Sequence, residues 1–552
     1  MIEIPRFARN DKLMKKRLNC SRSSGVALIG IIAAIVLLGL LGTGVLMLVT
    51  TGSMESLQTL NWNKAFFAAE TGISVAKYQM STNAVWYTAL PWTRTGMIGQ
   101  ASFSCIIATN DGTNVAVTST GIQGDARWTT KWYPSASEVA RAVLVYQQSG
   151  QSAPRYRTCS SLRKLGNELT ANSVAATPQW QCLEANPNTN EFILAAQNSS
   201  RYIYAQVYAG GTWGPATQLN AAGRVPAASS RGFDVAYENL SGRGMVVYSD
   251  GSKTPQYRLW VSNSWSSPLP INVGASNGVY WIRLIPKPGT NEIMCLARWR
   301  AGTRNYSSGI IWNGATWIGL TNLEYNCDSD IARETLDGAY STNMALVVYI
   351  NGSGNARRIP KYKIYNAISG TWSGESNMVS LGTVMPRWIR VEYSSDGSLA
   401  YVGILHSGTG LKGTYRRGSA WDAYYDFGSL DTVNRRTFDI AWSSQTNTLM
   451  VVYSPNQNAQ SYLLATGGGS SNQYGSLVST DDGQWCLLKA DPFTSEFYYL
   501  AIDDANDVNF QRWTGSSWTL FPEPENGSSL NYLSIDFTFR RDSASANYWP
   551  LR

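Results

Sequence analysis

The chain has 552 residues, too many for one hydrophobic core, which predicts two or three domains. The formal net charge is +8, but the first 25 residues hold seven basic and two acidic residues, so the remainder carries only +3 and gives no argument for nucleic-acid binding. The single histidine, His406, essentially excludes a Ser-His-Asp triad and a multi-histidine metal site. Few charges (15%) beside 21 Trp, 30 Tyr and 49 Gly are typical of β structure with tight turns outside the cytoplasm.

An uncharged apolar run covers residues 26–49. Its length is enough to cross about 30 Å of hydrocarbon as one helix. The basic residues before the run predict a cytoplasmic N-terminus. The run is too long for the apolar region of a signal peptide, and no small-residue cleavage site follows it. A plain N-terminal signal anchor is one interpretation of this segment.

Two flanking motifs favour another interpretation. Ser24-Gly25 directly precedes the run, and an amphipathic stretch after it reads Ala65-Phe66-Phe67-Ala68-Ala69-Glu70-Thr71-Gly72-Ile73. Together they resemble the type IV pilin-like proteins, in particular minor pilins and pseudopilins. The resemblance implies that a prepilin leader, residues 1–25, is removed between Gly25 and Val26. It also implies four partners, namely prepilin peptidase, other minor pilins, major pilins and the inner-membrane assembly platform. Within the amphipathic stretch, it implies a role in assembly for Glu70.

One departure from the pilin pattern is informative. Major pilins usually carry Glu at the fifth position after the cut, where this chain has Gly30. A carboxylate in the bilayer is costly unless it finds a partner in the next subunit. A subunit with no neighbour above it needs no such carboxylate, so Gly30 favours a position at the tip of a filament.

Apolar residues recur at helical spacing after the run, which predicts one helix from 26 to about 80. Strand patterns follow at Ala101–Ala108, Thr113–Ser119, Ala126–Trp132 and Val139–Gln147. The turn Ser119-Thr120-Gly121, followed by Ala126-Arg127-Trp128, resembles the sheet of minor pilins. We therefore expect a pilin-like α+β domain over residues 26–150, with a small antiparallel sheet over 100–148.

The rest of the chain, 151–552, is repetitive. An aromatic or Leu anchor opens an apolar strand every 47 to 55 residues, at Trp180, Phe233, Trp281, Leu336, Trp388, Phe438, Trp485 and Leu533. Four short strands in about 50 residues, repeated radially, are typical of a β-propeller. The expected fold class is mainly β with a long N-terminal α-helix, and the propeller has eight blades. Seven blades, or a sandwich of short strands, is the alternative.

The two ends of this region are expected to share one blade. Leu533–Arg552 supplies only two strands, and Arg155–Cys159 with Asn167–Ala171 supplies the missing outer pair. Such closure removes the free edge of the sheet array. The anchors alternate between Trp and Phe or Leu, so the array resembles four copies of a two-blade unit.

Several residues are candidates for binding a cation or for forming disulfides. Asp234, Asp337 and Asp439 follow alternate anchors and could form a cation ring, but a buried carboxylate more often accepts backbone amides. The segment 503–507 could bind Ca²⁺, although it lacks the Gly and Glu of an EF-hand loop. Six cysteines remain after the leader, and they could form disulfides in 15 ways or stay buried as free thiols. No catalytic, cofactor or metal residue is assigned.

Basic residues gather in the loops that join second to third strands, which lie on one face of a propeller. This predicts a basic ligand face for an anionic glycan or another anionic surface, with the residues Arg300, Arg304, Arg357, Arg358, Lys361 and Lys412. The expected function is that of a non-enzymatic minor pilin-like subunit, first in the inner membrane and then extracellular at a filament tip, which presents a propeller for adhesion. A displayed carbohydrate-active enzyme and a pseudopilin that recruits type II secretion substrates are the alternatives.

Overall fold

The structure is a computed structural model. It describes residues 26–82, 91–109, 115–132, 140–160, 165–209, 211–325, 333–432, 434–455, 460–478, 481–522, 524–525 and 534–539. Gly25 and the leader, Cys327 and the predicted anchor Leu533 lie outside these residues. The chain divides into two compact units, residues 1–76 with 91–132, and residues 77–90 with 133–552.

The first unit combines most of one long helix with a small sheet. Helix α1 runs over Val26–Thr82, close to the predicted end near residue 80. The sheet has the order β1-β2-β3-β4 and is antiparallel throughout. Its strands are β1 (Trp92–Ile98), β2 (Ala101–Thr109), β3 (Val115–Gln123) and β4 (Ala126–Trp132).

Small residues let the helix approach this sheet closely. Ala65, Ala68 and Ala69 are fully buried on α1. A Cβ added at Gly121 of β3 would lie 1.9 Å from the Ala65 carbonyl oxygen and 2.5 Å from the Ala69 nitrogen. A side chain at Gly121 would therefore push the helix off the sheet.

The N-terminal half of α1 differs from this packed half. Residues 31–60 are all exposed, and an 18-residue stretch of them has a mean hydropathy of 2.7. Among the described residues, α1 is the one helix long and apolar enough to cross a membrane. Because the exposure of so much apolar surface to water is unfavourable, the composition favours a lipid or protein environment for this half of the helix.

The second unit is a β-propeller, as predicted. Among the described residues, eight antiparallel sheets of four or five strands follow one another around a ring, and we number these blades 1 to 8. Blades 1 to 4 contain β5 (Ala140–Tyr146), β6 (Arg155–Ser160), β7 (Leu169–Thr170); β8 (Pro178–Ala185), β9 (Phe192–Asn198), β10 (Ile203–Ala209), β11 (Thr212–Trp213), β12 (Thr217–Gln218); β13 (Phe233–Tyr237), β14 (Gly244–Tyr248), β15 (Gln256–Val261), β16 (Ser264–Trp265), β17 (Leu269–Pro270); and β18 (Val279–Pro286), β19 (Ile293–Ala301), β20 (Arg304–Trp312), β21 (Trp317–Asn322).

Blades 5 to 8 repeat the same plan. They contain β22 (Leu336–Tyr340), β23 (Met344–Tyr349), β24 (Lys361–Asn366), β25 (Thr371–Trp372), β26 (Ser376–Asn377); β27 (Pro386–Tyr393), β28 (Leu399–His406), β29 (Gly410–Arg417), β30 (Ala420–Trp421), β31 (Tyr425–Ser429); β32 (Phe438–Trp442), β33 (Leu449–Tyr453), β34 (Ser461–Thr466), β35 (Ser471–Ser476); and β36 (Gly483–Ala490), β37 (Phe497–Asp503), β38 (Val508–Trp513), β39 (Trp518–Leu520). A 3₁₀ turn, Gly354–Arg358, joins β23 to β24. The last strand, β40 (Ile535–Phe539), returns to blade 1.

The blades follow from their local sequences. The two inner strands of blades 3 and 7 are almost wholly apolar and buried, as expected for strands covered on both faces. Tight turns precede several outer strands and use Gly at positive φ, for example Gly314 (φ +96°) and Gly515 (φ +99°). Buried apolar side chains between neighbouring blades then form the core.

Closure by both chain ends is confirmed, but the predicted division of strands was wrong. Of the residues described after 525, β40 is the one strand, and it pairs with β5, followed by β6 and β7. The segment Val139–Gln147, expected in the first sheet, is therefore the second strand of blade 1, and β1 takes its place in the first sheet. Its apolar alternation fits either sheet, and only pairing with the distant β40 distinguishes them. The anchor of this blade is Ile535 and not Leu533.

The cysteines of the described residues are buried thiols. Cys105, Cys159, Cys182, Cys295 and Cys486 form no disulfide with one another. Burial raises the pKa of the Cys295 and Cys486 thiols. These thiols therefore act as small apolar side chains in the core.

Candidate ligand site in the central channel

The innermost strands of the eight blades surround a central channel. They are β40, β8, β13, β18, β22, β27, β32 and β36, in that order around the ring. Blades 2, 4, 6 and 8 carry Trp at the third position of this strand, and blades 1, 3, 5 and 7 carry Asp at its second position. The channel thus has an approximate fourfold repeat.

The aspartates tie neighbouring blades together. One oxygen of each accepts a hydrogen bond from a backbone amide in the next Trp-anchored blade, at 2.7 to 3.0 Å. The pairs are Asp234 with Leu284, Asp337 with Val391, Asp439 with Leu488, and Asp536 with Leu183. The sequence predicted this role for the first three, and the fourth was missed because its anchor was placed two residues early.

The other oxygen of each aspartate faces a basic side chain. The ion pairs are Arg231–Asp234 (3.2 Å), Arg283–Asp337 (2.7 Å), Arg390–Asp439 (3.5 Å) and Lys489–Asp536 (3.3 Å). Each aspartate is thus held on two sides, as a buried carboxylate requires.

Glu334 fills the end of the channel where the inner strands begin. Its Oε2 lies 2.6 Å from Arg390 and 3.6 Å from Arg436, and its Oε1 lies 4.0 Å from Arg231. The indole of Trp281 donates to Oε1 at 3.2 Å. Burial raises the pKa of Glu334, but Arg390, Arg231 and Arg283 outweigh it and lower this pKa to about 2. Glu334 is therefore a permanently charged centre of the network.

Tryptophans pack around this same end. Trp180 and Trp388 each meet Trp485 edge to face, with ring centroids 5.8 and 5.6 Å apart. The Arg436 guanidinium lies 4.7 Å from the Trp485 ring centroid. We call this the closed end of the channel, defined by the four anchor tryptophans and Glu334 with its arginines.

A cavity of about 500 Å³ extends from Trp180 and Trp485 to the opposite end of the channel. There it reaches the first turns of the blades, at Asn239, Pro288 and Pro492. Side-chain exposure rises along it, from 3% at Glu334 to 28% at Lys489 and 32% at Glu184. We call this the open end of the channel.

Four equivalent positions, each four residues after an anchor tryptophan, form a ring at the open end. They are Glu184, Ile285, Glu392 and Lys489. Glu184 lies 3.9 Å from Lys489, which also pairs with Asp536. Glu392 is four blades from Glu184 and so lies on the opposite side of the ring.

Glu392 differs from every other acid in the channel. Within the described ranges, no hydrogen bond or ion pair reaches its carboxylate, although it is half-buried and lines the cavity. Burial and the nearby Asp337 and Asp439 raise its pKa to about 8, against the lowering effect of Arg283 and Arg390. The cavity therefore holds one carboxyl group that has no ion-pair partner among the described residues.

The predicted basic face lies at the other end of the blades. Arg300 and Arg304 flank the β19–β20 turn, Arg357 and Arg358 end the 3₁₀ turn, and Lys361 and Lys412 lie on third strands. Three of these side chains have partners in the described chain: Arg300 with the Gly302 carbonyl, Lys361 with Asn377, and Lys412 with Asp426 at 4.0 Å. Arg304 and Arg357 also interact with other residues. Binding of an anion by this face stays a prediction.

The remaining predicted residues have varied surroundings. Val26 is the first described residue of α1, Gly30 lies within the same helix, and Glu70 is exposed on its packed half. In the proposed Ca²⁺ loop, Asp503 accepts the Asp507 backbone amide and the Asn509 side chain. Among the described residues, no group of three or more His, Cys, Asp or Glu is arranged to hold a metal ion.

Comparison with known proteins finds solved structures that are only distantly similar to this chain. No family model matches the chain, and no curated protein does. Similar solved structures are the BP39L lectin of Burkholderia pseudomallei (12% identity, TM-score 0.46, 62% of this chain and 100% of the lectin), a fucose-specific lectin of Aleuria aurantia (8%, 0.33, 63% and 96%) and a putative 6-phosphogluconolactonase of Bacteroides fragilis (12%, 0.39, 73% and 99%). Because these TM-scores are below 0.5, we draw no functional conclusion from them.

Proposed function

We propose that this protein is a minor pilin-like subunit that presents its propeller as a ligand-binding head at the tip of a type IV pilus or related filament. The observation that carries the proposal is the difference between the two halves of α1. Its first half is exposed and apolar over residues 31–60, while its second half packs small residues against a four-stranded antiparallel sheet. One helix that serves a membrane and a globular head in this way is what the pilin resemblance requires.

The sequence around the helix supports the same role. Gly25 before Val26 suits prepilin peptidase, and Gly30 removes a carboxylate that only a subunit with a neighbour above it needs. The propeller, which extends from β5 to β40, is much larger than the first unit. A head of this size fits the end of a filament better than a position between packed subunits.

The pathway is tested at the N-terminus of the protein from its native host. We expect a new terminus at Val26 that depends on prepilin peptidase. Gly25→Val should block the cut. Gly52→Val is the matched control, because Gly52 lies in α1 with open space around it. An intact Met1 in a host that contains the peptidase would overturn the pilin assignment and leave a membrane-anchored propeller.

The role of the head is tested by deletion of the gene. Loss of attachment to surfaces with normal secretion supports the adhesion role, and loss of secretion with normal attachment supports the pseudopilin alternative. Glycan turnover by the purified protein would support the alternative of a displayed enzyme.

The predicted basic face is tested separately. Neutralising Arg357, Arg358 and Lys361 together should weaken attachment to anionic surfaces. Unchanged attachment would remove this face from the proposal, while the pilin pathway would be unaffected.

A further inference from the structure

The charges of the central channel do not balance. Seven acids and five bases line or border the cavity: Glu184, Asp234, Glu334, Asp337, Glu392, Asp439 and Asp536, with Arg231, Arg283, Arg390, Arg436 and Lys489. Each base has at least one acid within 4.0 Å. Each of these bases is thus already paired with an acid of the channel, which disfavours an anionic ligand here. The excess is two acids: Glu184 and Asp536 share the one Lys489, and Glu392 has no ion pair among the described residues.

We propose that the open end of the channel binds an amino sugar with a free ammonium group, and that Glu392 is its counter-ion. This rests on the proposed role of the propeller as a ligand-binding head, but not on the pilin pathway. The ligand class also differs from the anion predicted for the basic face.

The ammonium group follows from the surroundings of Glu392. Asp337 and Asp439 add negative potential near it, and Arg283 and Arg390, which reduce that potential, are already paired with those two aspartates. A cation brought by a ligand would supply the missing charge and form a charge-assisted hydrogen bond. A neutral or acidic ligand would leave Glu392 uncompensated.

The sugar part follows from the size and lining of the cavity. About 500 Å³ is in the range of small-molecule sites and far exceeds the space that one ammonium or one lysine side chain fills. Aromatic side chains line it at Tyr340 and Trp442. The Trp442 indole N–H is buried without a hydrogen-bond partner among the described residues. Hydroxyl groups can bond such donors and the surrounding carboxylates, and aromatic rings attract cations.

The test is calorimetric titration of the full-length protein in detergent micelles with the β-1,4-linked disaccharide of glucosamine. The matched ligand is the same disaccharide with both amines acetylated, which keeps the skeleton and removes the charge. We expect the diamine to bind and the acetylated sugar to bind at least tenfold more weakly. A lysine amide serves as a third probe, and it should bind more weakly than the diamine if the sugar ring contributes.

Two variants assign the site. Glu392→Gln should weaken binding of the diamine at least tenfold, while Glu375→Gln, which changes an exposed carboxylate of blade 5 that does not line the cavity, should change it less than threefold. Neutralising Arg357, Arg358 and Lys361 should leave it unchanged. A second readout uses wild type alone: below pH 8, where Glu392 holds a proton, binding should release about one proton, seen as a buffer-dependent heat.

Four results would overturn the proposal. They are equal affinity for both disaccharides, equal loss in the two glutamate variants, no proton release, and no binding of the diamine at about 10 mM. None of these depends on the N-terminus. A protein that binds the diamine but is not cut at Gly25 would refute the pilin pathway alone, and a correctly cut protein that does not bind would refute this site alone.

Discussion

The two ends of the central channel hold glutamates in opposite electrostatic states. Glu334 at the closed end is buried, yet Arg390 and Arg231 keep its pKa near 2. Glu392 at the open end is half-buried, and burial with two neighbouring aspartates raises its pKa to about 8. Burial disfavours both charged forms, so the number of guanidinium groups aimed at each carboxylate decides the difference. The comparison separates a carboxylate that holds the ring together from one that is free for a ligand.

Removal of the charge at the closed end should have the largest effect on stability. Glu334→Gln leaves three arginines together in a buried place without their shared counter-ion. We expect the free energy of unfolding of the propeller to fall by about 3–5 kcal/mol at pH 7. Denaturant titration followed by tryptophan fluorescence measures this loss. A change below about 1 kcal/mol would show that the arginines do not depend on Glu334.

The pH dependence of this effect has a definite sign. The folded pKa of Glu334 is lowered, so its contribution is present above the unfolded value near 4.5 and is lost as the pH falls toward 2. Wild type should therefore lose its advantage over Glu334→Gln across this acidic range.

Removal of the charge at the open end should have the opposite sign. The folded pKa of Glu392 is raised, so its contribution is present below about pH 4.5 and is lost as the pH rises through 8. We expect Glu392→Gln to match wild type at pH 4.5 and to exceed it on the order of 2 kcal/mol at pH 8.5, which is less than the full pKa shift gives because part of the side chain is exposed to solvent. Thermal unfolding at the two pH values measures this. A variant that is less stable than wild type at pH 8.5 would contradict the comparison.

The indole donor to Glu334 sharpens the closed end further. Trp281→Phe removes the 3.2 Å hydrogen bond and should cost about 1 kcal/mol at pH 7, with less effect as Glu334 becomes protonated. Trp180→Phe is the control, because its indole donates at 3.1 Å to the carbonyl of Ala228, which does not titrate. Equal pH dependence in both variants would place the effect outside Glu334.

The smallest effect is expected at the partner position of Glu392 in the ring. Glu184 pairs with Lys489 at 3.9 Å and has a third of its side chain exposed. Glu184→Gln should therefore change the free energy of unfolding by less than about 1 kcal/mol at any pH between 5 and 8. A loss as large as that of Glu334→Gln would mean that the two ends do not differ as described.

Much of the fold could be predicted because it follows from local patterns in the sequence. The helix over 26–82 follows from an apolar run and its helical continuation, and each blade repeats its anchor and turns within about 50 residues. The strand Ala140–Tyr146 could not be assigned in this way. Its alternation fits a pilin sheet as well as a blade, and the choice depends on β40 at the other end of the propeller.

The site was harder to predict for the same reason. Asp234, Asp337 and Asp439 could be interpreted because each one follows an anchor in its own repeat. Glu334 precedes an anchor where the related blades have Arg231 and Arg436, and its role depends on arginines that only ring closure brings together. Glu392 is one glutamate among many in the sequence, and its isolation is a property of the finished ring.

The most direct test of this account is a measurement of the two glutamate pKa values. Carboxyl-¹³C glutamate labelling of the full-length protein, with Glu334→Gln and Glu392→Gln to assign the signals, gives both titrations by NMR. The account predicts that the Glu392 signal titrates near pH 8 and that the Glu334 signal is still ionised close to pH 2. Titration of both signals near the ordinary value of about 4.3 would contradict it.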